Sequence, residues 1–327
     1  MTPSTRKFVP SGMAAAAVLM VFASGCSSTG TTTAPAAAPA VGQFASSNPG
    51  SVNTFWMDTP DGLVVVDAQR SLTDARSAVS AIKATGRPVA AVLITHSHPD
   101  HVGGIGVLHE AFPEAPIYSS KVTASEIQTD PLQFYDLTRS LPDSDYAPRM
   151  TVPDHTFEPG ATVGIGGTEL RSADFEPGES AAATAYFEPR SGTLFAGDLV
   201  ADQATPALLE GHSCGWLVDL DKLTERFPGI RTIYPGHGAP AGPELIDQQR
   251  TYLRKVRGLV RTAIAPASPG AAEVTDDEQR SILAELDRSY PGYPAVASLP
   301  TMPQLNVQTV AKEERAEDAN ALPSSCK

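Results

Sequence analysis

The chain has 327 residues, with 24 Lys and Arg against 37 Asp and Glu and a formal net charge of −13. Its 41% hydrophobic and 19% charged residues supply enough apolar material for a core, which excludes wholesale disorder, and its acidic balance excludes a binder that holds nucleic-acid phosphates with Lys and Arg. Three cysteines are too few for a disulfide scaffold or a four-cysteine zinc site, and no apolar run reaches the ~18–20 residues that span a bilayer.

At the N-terminus, Arg6 and Lys7 precede Met13–Ala23, an uncharged apolar run of 11 residues. That is the pattern of a secretory signal over residues 1–25. Ala23-Ser24-Gly25-Cys26 follows, and small residues before a Cys resemble the bacterial lipobox. The resemblance implies cleavage before Cys26, lipid on its thiol, and an extracytoplasmic protein anchored to the bacterial cell membrane. The alternative is an ordinary cleaved signal with an incidental Cys. Loss of Arg6 and Lys7 with the leader would take the charge to −15. Residues 27–50 are Ser, Thr, Ala, Pro and Gly almost throughout. Such a composition buries too little apolar surface to offset its ordering entropy, so residues 26–50 are expected to be a flexible tether.

Strands are expected over Val52–Met57 and Leu63–Val66, joined through Asp61-Gly62. Ser71 or Thr73 can cap a helix running to about Thr85, with Gly86 just beyond it. Val89–Ile94 is a continuous apolar run that suits a buried strand. A short helix near Ile105–Phe112 and a strand at Ile117–Ser119 follow. Residues 130–158, rich in Pro and Asp, read as a long loop or short helices. Ala161–Ile165 and Thr168–Ala173 flank a Gly-Gly turn, and Thr184–Phe187 and Thr193–Ala196 form a further pair of strands. A helix near Val218–Phe227, a strand at Thr232–Tyr234 and a long amphipathic helix over Pro243–Ile264 come next. Pro266–Gly270 reads as a break, Asp276–Arg288 as a helix, and the remainder as a mixed tail. The main domain is therefore placed at 51–265. Residues 266–327 form a helical extension, too short for comfortable autonomous folding and expected to pack on that domain.

The sharpest chemical feature is Thr95-His96-Ser97-His98-Pro99-Asp100-His101, followed by Val102-Gly103-Gly104. Three imidazoles and a carboxylate sit where a buried strand gives way to a loop. His96 and His98 can share a face by the period-two rule, and Asp100 and His101 lie where the chain turns away. Imidazole with carboxylate suits zinc, with manganese or iron as alternatives.

This segment resembles the HxHxDH signature of the metallo-β-lactamase superfamily. Three further elements follow the family order: Asp58 to Ala68, Phe195-Ala196-Gly197-Asp198, and Tyr234-Pro235-Gly236-His237-Gly238. The resemblance covers roughly residues 50–265 and implies an α/β fold, the four-layer αββα sandwich with metals at one edge between the sheets. It also implies two divalent metal ions, zinc first. His96 and His98 would belong to one site and Asp100, His101 and His237 to the other, with Asp198 bridging. Asp100 would both ligate and orient a metal-activated hydroxide.

One position departs from the family pattern. Where a third His of the first site is usual, this chain has Glu179, in Pro177-Gly178-Glu179 and 19 residues ahead of Asp198. Glu is a competent ligand, so Glu179 is expected to complete that site. The alternatives are a surface Glu179 with Glu176 or solvent in its place. His212, set against a plain loop role, is a candidate substrate contact, and so is Tyr234, which ends a strand beside a ligand loop and could donate to a substrate oxyanion. Asp67 is a candidate to orient a ligand His. Cys214 and Cys326 could pair in an oxidising compartment.

The function these features imply is hydrolysis of a small ester, lactone, thioester or sulfate ester. A zinc β-lactamase, an iron-dependent redox member of the superfamily and a non-catalytic metal-binding lipoprotein stand as alternatives. The expected partners are a small-molecule substrate and, through the lipid, a membrane; nucleic acid is not among them.

Overall fold

The computed structural model describes residues 1, 38–141, 144–158, 160–265, 274–318 and 321–326. The signal segment, Cys26 and the break at 266–270 lie outside them. Two sheets face each other within the unit Pro35–Lys327. The first has six strands in sequence order: β1 (Val41–Ala45), β2 (Asn53–Thr59), β3 (Gly62–Val66), β4 (Val89–Leu93), β5 (Ile117–Ser120) and β6 (His155–Phe157). The second has five: β7 (Thr162–Ile165), β8 (Thr168–Phe175), β9 (Ala183–Glu188), β10 (Thr193–Gly197) and β11 (Thr232–Pro235).

Period-two alternation explains the layers. Val64, Val66, Ala91 and Leu93 point into the space between the sheets, where they meet Phe157, Ile165, Leu170, Tyr186 and Phe195. Leu63, Val65 and Val92 point outward, under α1 (Leu72–Ala84) and α3 (Ile105–Ala111), which contribute Val79, Ile82, Ile105 and Leu108. Both faces of β3 and β4 are covered, which is why their sequences are continuous apolar runs. On the far side, α6 (Ser213–Arg226) and α7 (Glu244–Ile264) cover the second sheet, burying Trp216, Leu220, Leu253 and Val256 against Leu194 and Ala196. The result is the expected four-layer αββα sandwich.

Local signals place the helix ends. Ser71 caps α1 by accepting from the Asp74 amide at 2.9 Å. Thr275 and Glu278 form a reciprocal capping box on α8 (Asp276–Ser289), an arrangement that satisfies two otherwise orphaned amides.

Three observations differ from the sequence expectations. Residues 41–45 are not tether: β1 pairs antiparallel with β2, Val41 opposite Met57 through Ala45 opposite Asn53. The segment 121–129 is helix α4 (Lys121–Thr129), and the tail contains α9 (Met302–Ala316). Within 130–158 the chain forms an expected short helix, α5 (Phe134–Ser140), but also the strand β6.

The C-terminal elements share the core of the second sheet's outer layer. Ile282, Leu286, Val307, Val310 and Cys326 belong to the same buried cluster as Trp216 and Leu253. Arg257 of α7 is buried and pairs with Glu313, Glu314 and Glu317 of α9 at 3.1, 2.8 and 2.6 Å. Cys214 of α6 and Cys326 form a disulfide, their Cα atoms 5.3 Å apart.

Candidate metal centre

All seven expected ligands converge at one edge of the sandwich, each at the end of an element. His96 follows β4 after Ile94-Thr95. His98 is the cap residue of α2 (Pro99–Val102), on which Asp100 and His101 sit. Glu179 lies between β8 and β9, Asp198 directly after β10, and His237 after β11. Ligand atoms of His96, His98, Glu179 and Asp198 lie within 4.8 Å of one another, as do those of Asp100, His101 and His237. Asp198 spans the two groups: its Oδ1 is 3.1 Å from His101 Nε2 and its Oδ2 3.1 Å from His237 Nε2. Asp100 Oδ2 is 3.3 Å from the same nitrogen of His237.

Backbone contacts hold these ends in register. The Thr184 amide donates to Thr95 O at 2.8 Å and the Tyr186 hydroxyl to Ile94 O at 2.7 Å, joining the sheets under the histidine motif. Asn53 secures the His237 loop, its amide donating to Gly236 O and its side chain to Pro235 O and Gly238 O. Two glycines are sterically required. A Cβ on Gly236 would lie 1.8 Å from Asp198 Oδ1, and one on Gly104 would lie 1.9 Å from Ala68 O.

Hydrogen bonding fixes which imidazole nitrogen is free. Asp67, held at φ 60°, accepts from the Thr95 amide, the Thr95 hydroxyl and His101 Nδ1 at 2.9, 2.9 and 2.8 Å. His101 therefore presents Nε2 as a lone pair. The Thr95 hydroxyl, having given its proton to Asp67, accepts from His96 Nδ1 at 3.0 Å, which leaves His96 Nε2 free. His98 Nε2 bonds Glu210 Oε1 at 2.9 Å, leaving Nδ1 facing Glu179 Oε1 at 2.9 Å. A lone pair against a carboxylate oxygen at that distance requires a cation or a proton between them. A carboxylate or hydroxyl that secures the outer nitrogen and aims the inner one is the usual support of a metal-binding His.

Electrostatics point the same way. His96 Nε2, His101 Nε2, Glu179 Oε1 and Oε2 and Asp198 Oδ1 are buried without a hydrogen-bond partner among the described residues, a costly arrangement unless a cation completes it. Burial depresses His96, and His101 and His98 add to it. Burial opposes protonation of His237, but Asp198 and Asp100 outweigh it and push it up to about 10. Burial likewise opposes charge on His98, outweighed by Glu179 and Glu210, which raise it well above the ordinary value. Against burial, His237 and His101 hold Asp198 well below the usual carboxylate range. Three carboxylates with four neutral imidazoles carry −3, which two divalent cations balance to within one charge. The donor set fits such a pair, and the oxygen and nitrogen ligands leave the choice among zinc, manganese and iron open.

The remaining candidates fall elsewhere. Tyr234 packs its ring 5.1 Å from both Phe55 and Phe195 and does not line the cleft above the ligands. Its register partner Phe195 shows why: both point into the intersheet core. His212 is exposed at the N-terminal cap of α6 and is also absent from the cleft wall. Glu176 is on the surface, paired with Lys222 at 3.1 Å. Glu210, Asn53 and Arg70 were not singled out from the sequence. Glu210 stands two residues before His212 in a segment with no local pattern, and only the folded chain brings it to His98.

Residues 47–237 match the model of the metallo-beta-lactamase superfamily. The chain is 27% identical over 170 residues to a type 2 metallo-beta-lactamase of Bacteroides fragilis, covering 51% of this chain and 60% of that one. It is 27% identical over 228 residues to a hydroxyacylglutathione hydrolase of Gloeobacter violaceus, covering 66% and 80%. The chain spans about half to three fifths of the length of several curated relatives it matches. A metallo-beta-lactamase family protein of Thermus thermophilus shares the fold at TM-score 0.60 and 17% identity, covering 84% of this chain and 92% of that one. On its motifs, its two-sheet sandwich and the match over 47–237, the chain belongs to the metallo-beta-lactamase superfamily.

Proposed function

We propose that the protein is a dinuclear metal-dependent hydrolase, zinc being the first candidate, that cleaves a small ester, lactone, thioester or sulfate ester. The observation that carries this reading is the set of seven converging ligands, of which His96, His101, Glu179 and Asp198 have buried, unpartnered inner atoms, at the floor of an open cleft of about 150 Å³. Cations held there would supply Lewis acidity and a nucleophile at neutral pH. The chain's own residues do the rest. Asp67, Thr95 and Glu210 hold three imidazoles in the ligating tautomer, and Asp198 spans the two groups. Asp100, on the cleft wall, is placed to take the proton that hydrolysis releases.

Hydroxyacylglutathione hydrolases among the relatives favour a thioester or ester. The similarity to the Bacteroides metallo-beta-lactamase keeps β-lactams as a second reading. We further propose that the protein is lipid-anchored outside the cytoplasm. The Cys26 motif supports this, as does the Cys214–Cys326 disulfide, a bond that persists in oxidising compartments. A screen of esters, lactones, thioesters, sulfate esters and a chromogenic cephalosporin, with and without chelator, tests the activity. Chelator-sensitive turnover of one of the first four classes is expected. Turnover of the cephalosporin alone would favour the second reading, and activity indifferent to the chelator would contradict both.

A further inference from the structure

The cleft over the ligands has two unlike arms. One, about 150 Å³, runs from His98, Asp100 and Asp198 between α5 and residues 296–302, walled by Phe134, Leu137, Leu141, Leu209, Leu299 and Met302. The other, about 110 Å³, passes Asp100 over Asn48, Ser51 and Ser71 and is polar. Arg70, Asp100, Val296 and Ser298 line both, so the arms meet at the proposed metals. Arg70 is half-buried, and among the described residues its guanidinium has no ion-pair or hydrogen-bond partner. The acidic neighbours are otherwise engaged: Asp74 accepts from the Ser71 hydroxyl at 2.8 Å, and Asp100 belongs to the ligand cluster. An unpaired guanidinium beside a reaction site is a receptor for a carboxylate or similar anion. A cavity near 150 Å³ lined by Leu and Phe holds an apolar group of roughly six carbons.

Resting on the hydrolase reading above, we propose that the substrate is an amphipathic anion, with an apolar acyl chain in the arm between α5 and residues 296–302 and a carboxylate on the far side of the scissile bond held by Arg70. Water adds its oxygen to the acyl carbon, the bond from that carbon to the leaving oxygen or sulfur breaks, the leaving alcohol or thiol takes one of the water's protons, and the other is released from the carboxylic acid to Asp100 or solvent.

The test uses the metal-loaded full chain and four esters, acetyl and hexanoyl esters of 3-hydroxypropionate and of 3-hydroxypropionamide. Burial of a methylene strengthens binding roughly fourfold, so hexanoyl, four methylenes longer, should exceed acetyl in kcat/KM on the order of 200-fold. The acid should exceed the amide by about tenfold, the scale of a hydrogen bond to a charged group. Arg70→Met should bring the acid-to-amide ratio to about one. Leu299→Trp, which fills the apolar arm, should erase the chain-length preference. Equal rates for acetyl and hexanoyl, or an acid preference that survives Arg70→Met, would overturn the proposal.

Calorimetric binding of N-hexanoyl-β-alanine and its terminal amide, neither an ester, separates the two layers of the argument. If no ester turns over but the acid binds about tenfold tighter than the amide in an Arg70-dependent way, the hydrolase reading fails and the recognition stands. Equal binding overturns the recognition whatever the rates.

Discussion

Glu179 is the residue on which the metal assignment is most exposed. Its carboxylate is buried, faces His98 Nδ1 at 2.9 Å and His96 Nε2 at 3.6 Å, and has no hydrogen-bond partner among the described residues. Two histidines and a shared Asp198 make a thin site without it, whereas three protein ligands are usual for a catalytic zinc. Glu179→Ala should therefore bind one metal ion per chain tightly instead of two, with activity falling by at least tenfold, as read by elemental analysis and kinetics on the same sample. Glu179→His should retain two. A Glu179→Ala protein with two tight metals and full turnover would remove Glu179 from the site.

Asp67 is a positioning residue, so its removal should loosen His101 rather than delete a ligand. Asp67→Asn can still accept from Thr95 but no longer offers a carboxylate to His101 Nδ1. A 10–100-fold loss of metal affinity is expected, visible in competition with a chelator.

Much of this centre is legible in the sequence because HxHxDH, Gly-Asp and Pro-Gly-His are local patterns whose spacing follows from strand ends. Glu210 and Asn53 are not, because each acts 112 or more residues away in sequence from the group it holds. Tyr234 and His212 show the limit of reading by proximity. Tyr234 stands beside a ligand loop and His212 between the Gly-Asp and Pro-Gly-His elements, which reads both as near the site, while strand alternation turned Tyr234 into the core and the start of α6 left His212 off the cleft wall.

At the scale of elements, the strands with covered faces read clearly, since a sheet buried on both sides demands unbroken apolar runs. β1 does not, because Val41–Ala45 has little intrinsic preference and is a strand by virtue of the exposed edge of β2. α9 is hidden for a related reason. Its buried residues, Met302, Asn306, Val307, Val310 and Ala311, include a polar one, and its acidic residues Glu313, Glu314 and Glu317 make sense only beside their partners on α6 and α7, Arg257 and Arg261 among them.

Two elements carry stability predictions. The Cys214–Cys326 disulfide closes a loop across 112 positions, for which loop-closure entropy gives about 5 kcal/mol. Reduction, or Cys326→Ala, should lower the midpoint of chemical unfolding accordingly. Asp219 of α6 is buried, and burial, only partly offset by Lys222, raises its pKa to about 6. A carboxyl whose folded pKa exceeds its unfolded value penalises the folded state above the folded pKa, and the penalty fades as pH falls toward the unfolded one. Asp219→Asn should therefore stabilise the protein by roughly 1 kcal/mol at pH 7.5, discounted for the ion pair with Lys222 that it gives up. The gain should shrink below pH 6 and vanish near pH 4, as measured by urea unfolding against pH. A gain that grows on acidification would contradict the assignment.

For the whole molecule, the described fold presents a metal-ligand edge at the meeting of two sheets, with the C-terminal helices completing both the core and the cleft wall through Val296–Met302. Among the described residues no helix is long and apolar enough to cross a membrane; the lipid proposed at Cys26 has its own test. The wild-type protein should partition into detergent in a phase-separation assay and Cys26→Ala into the aqueous phase; equal partitioning of both would remove the anchor. The central claim is that one edge of this sandwich binds a pair of cations. Elemental analysis of the purified chain after equilibration with zinc and removal of excess tests it most directly. The account predicts two zinc ions per chain, lost in parallel with activity on chelation and held less well as pH falls and protons compete for His98, His101 and His237. A chain that holds no zinc under these conditions, and no manganese or iron in the same assay, would contradict it.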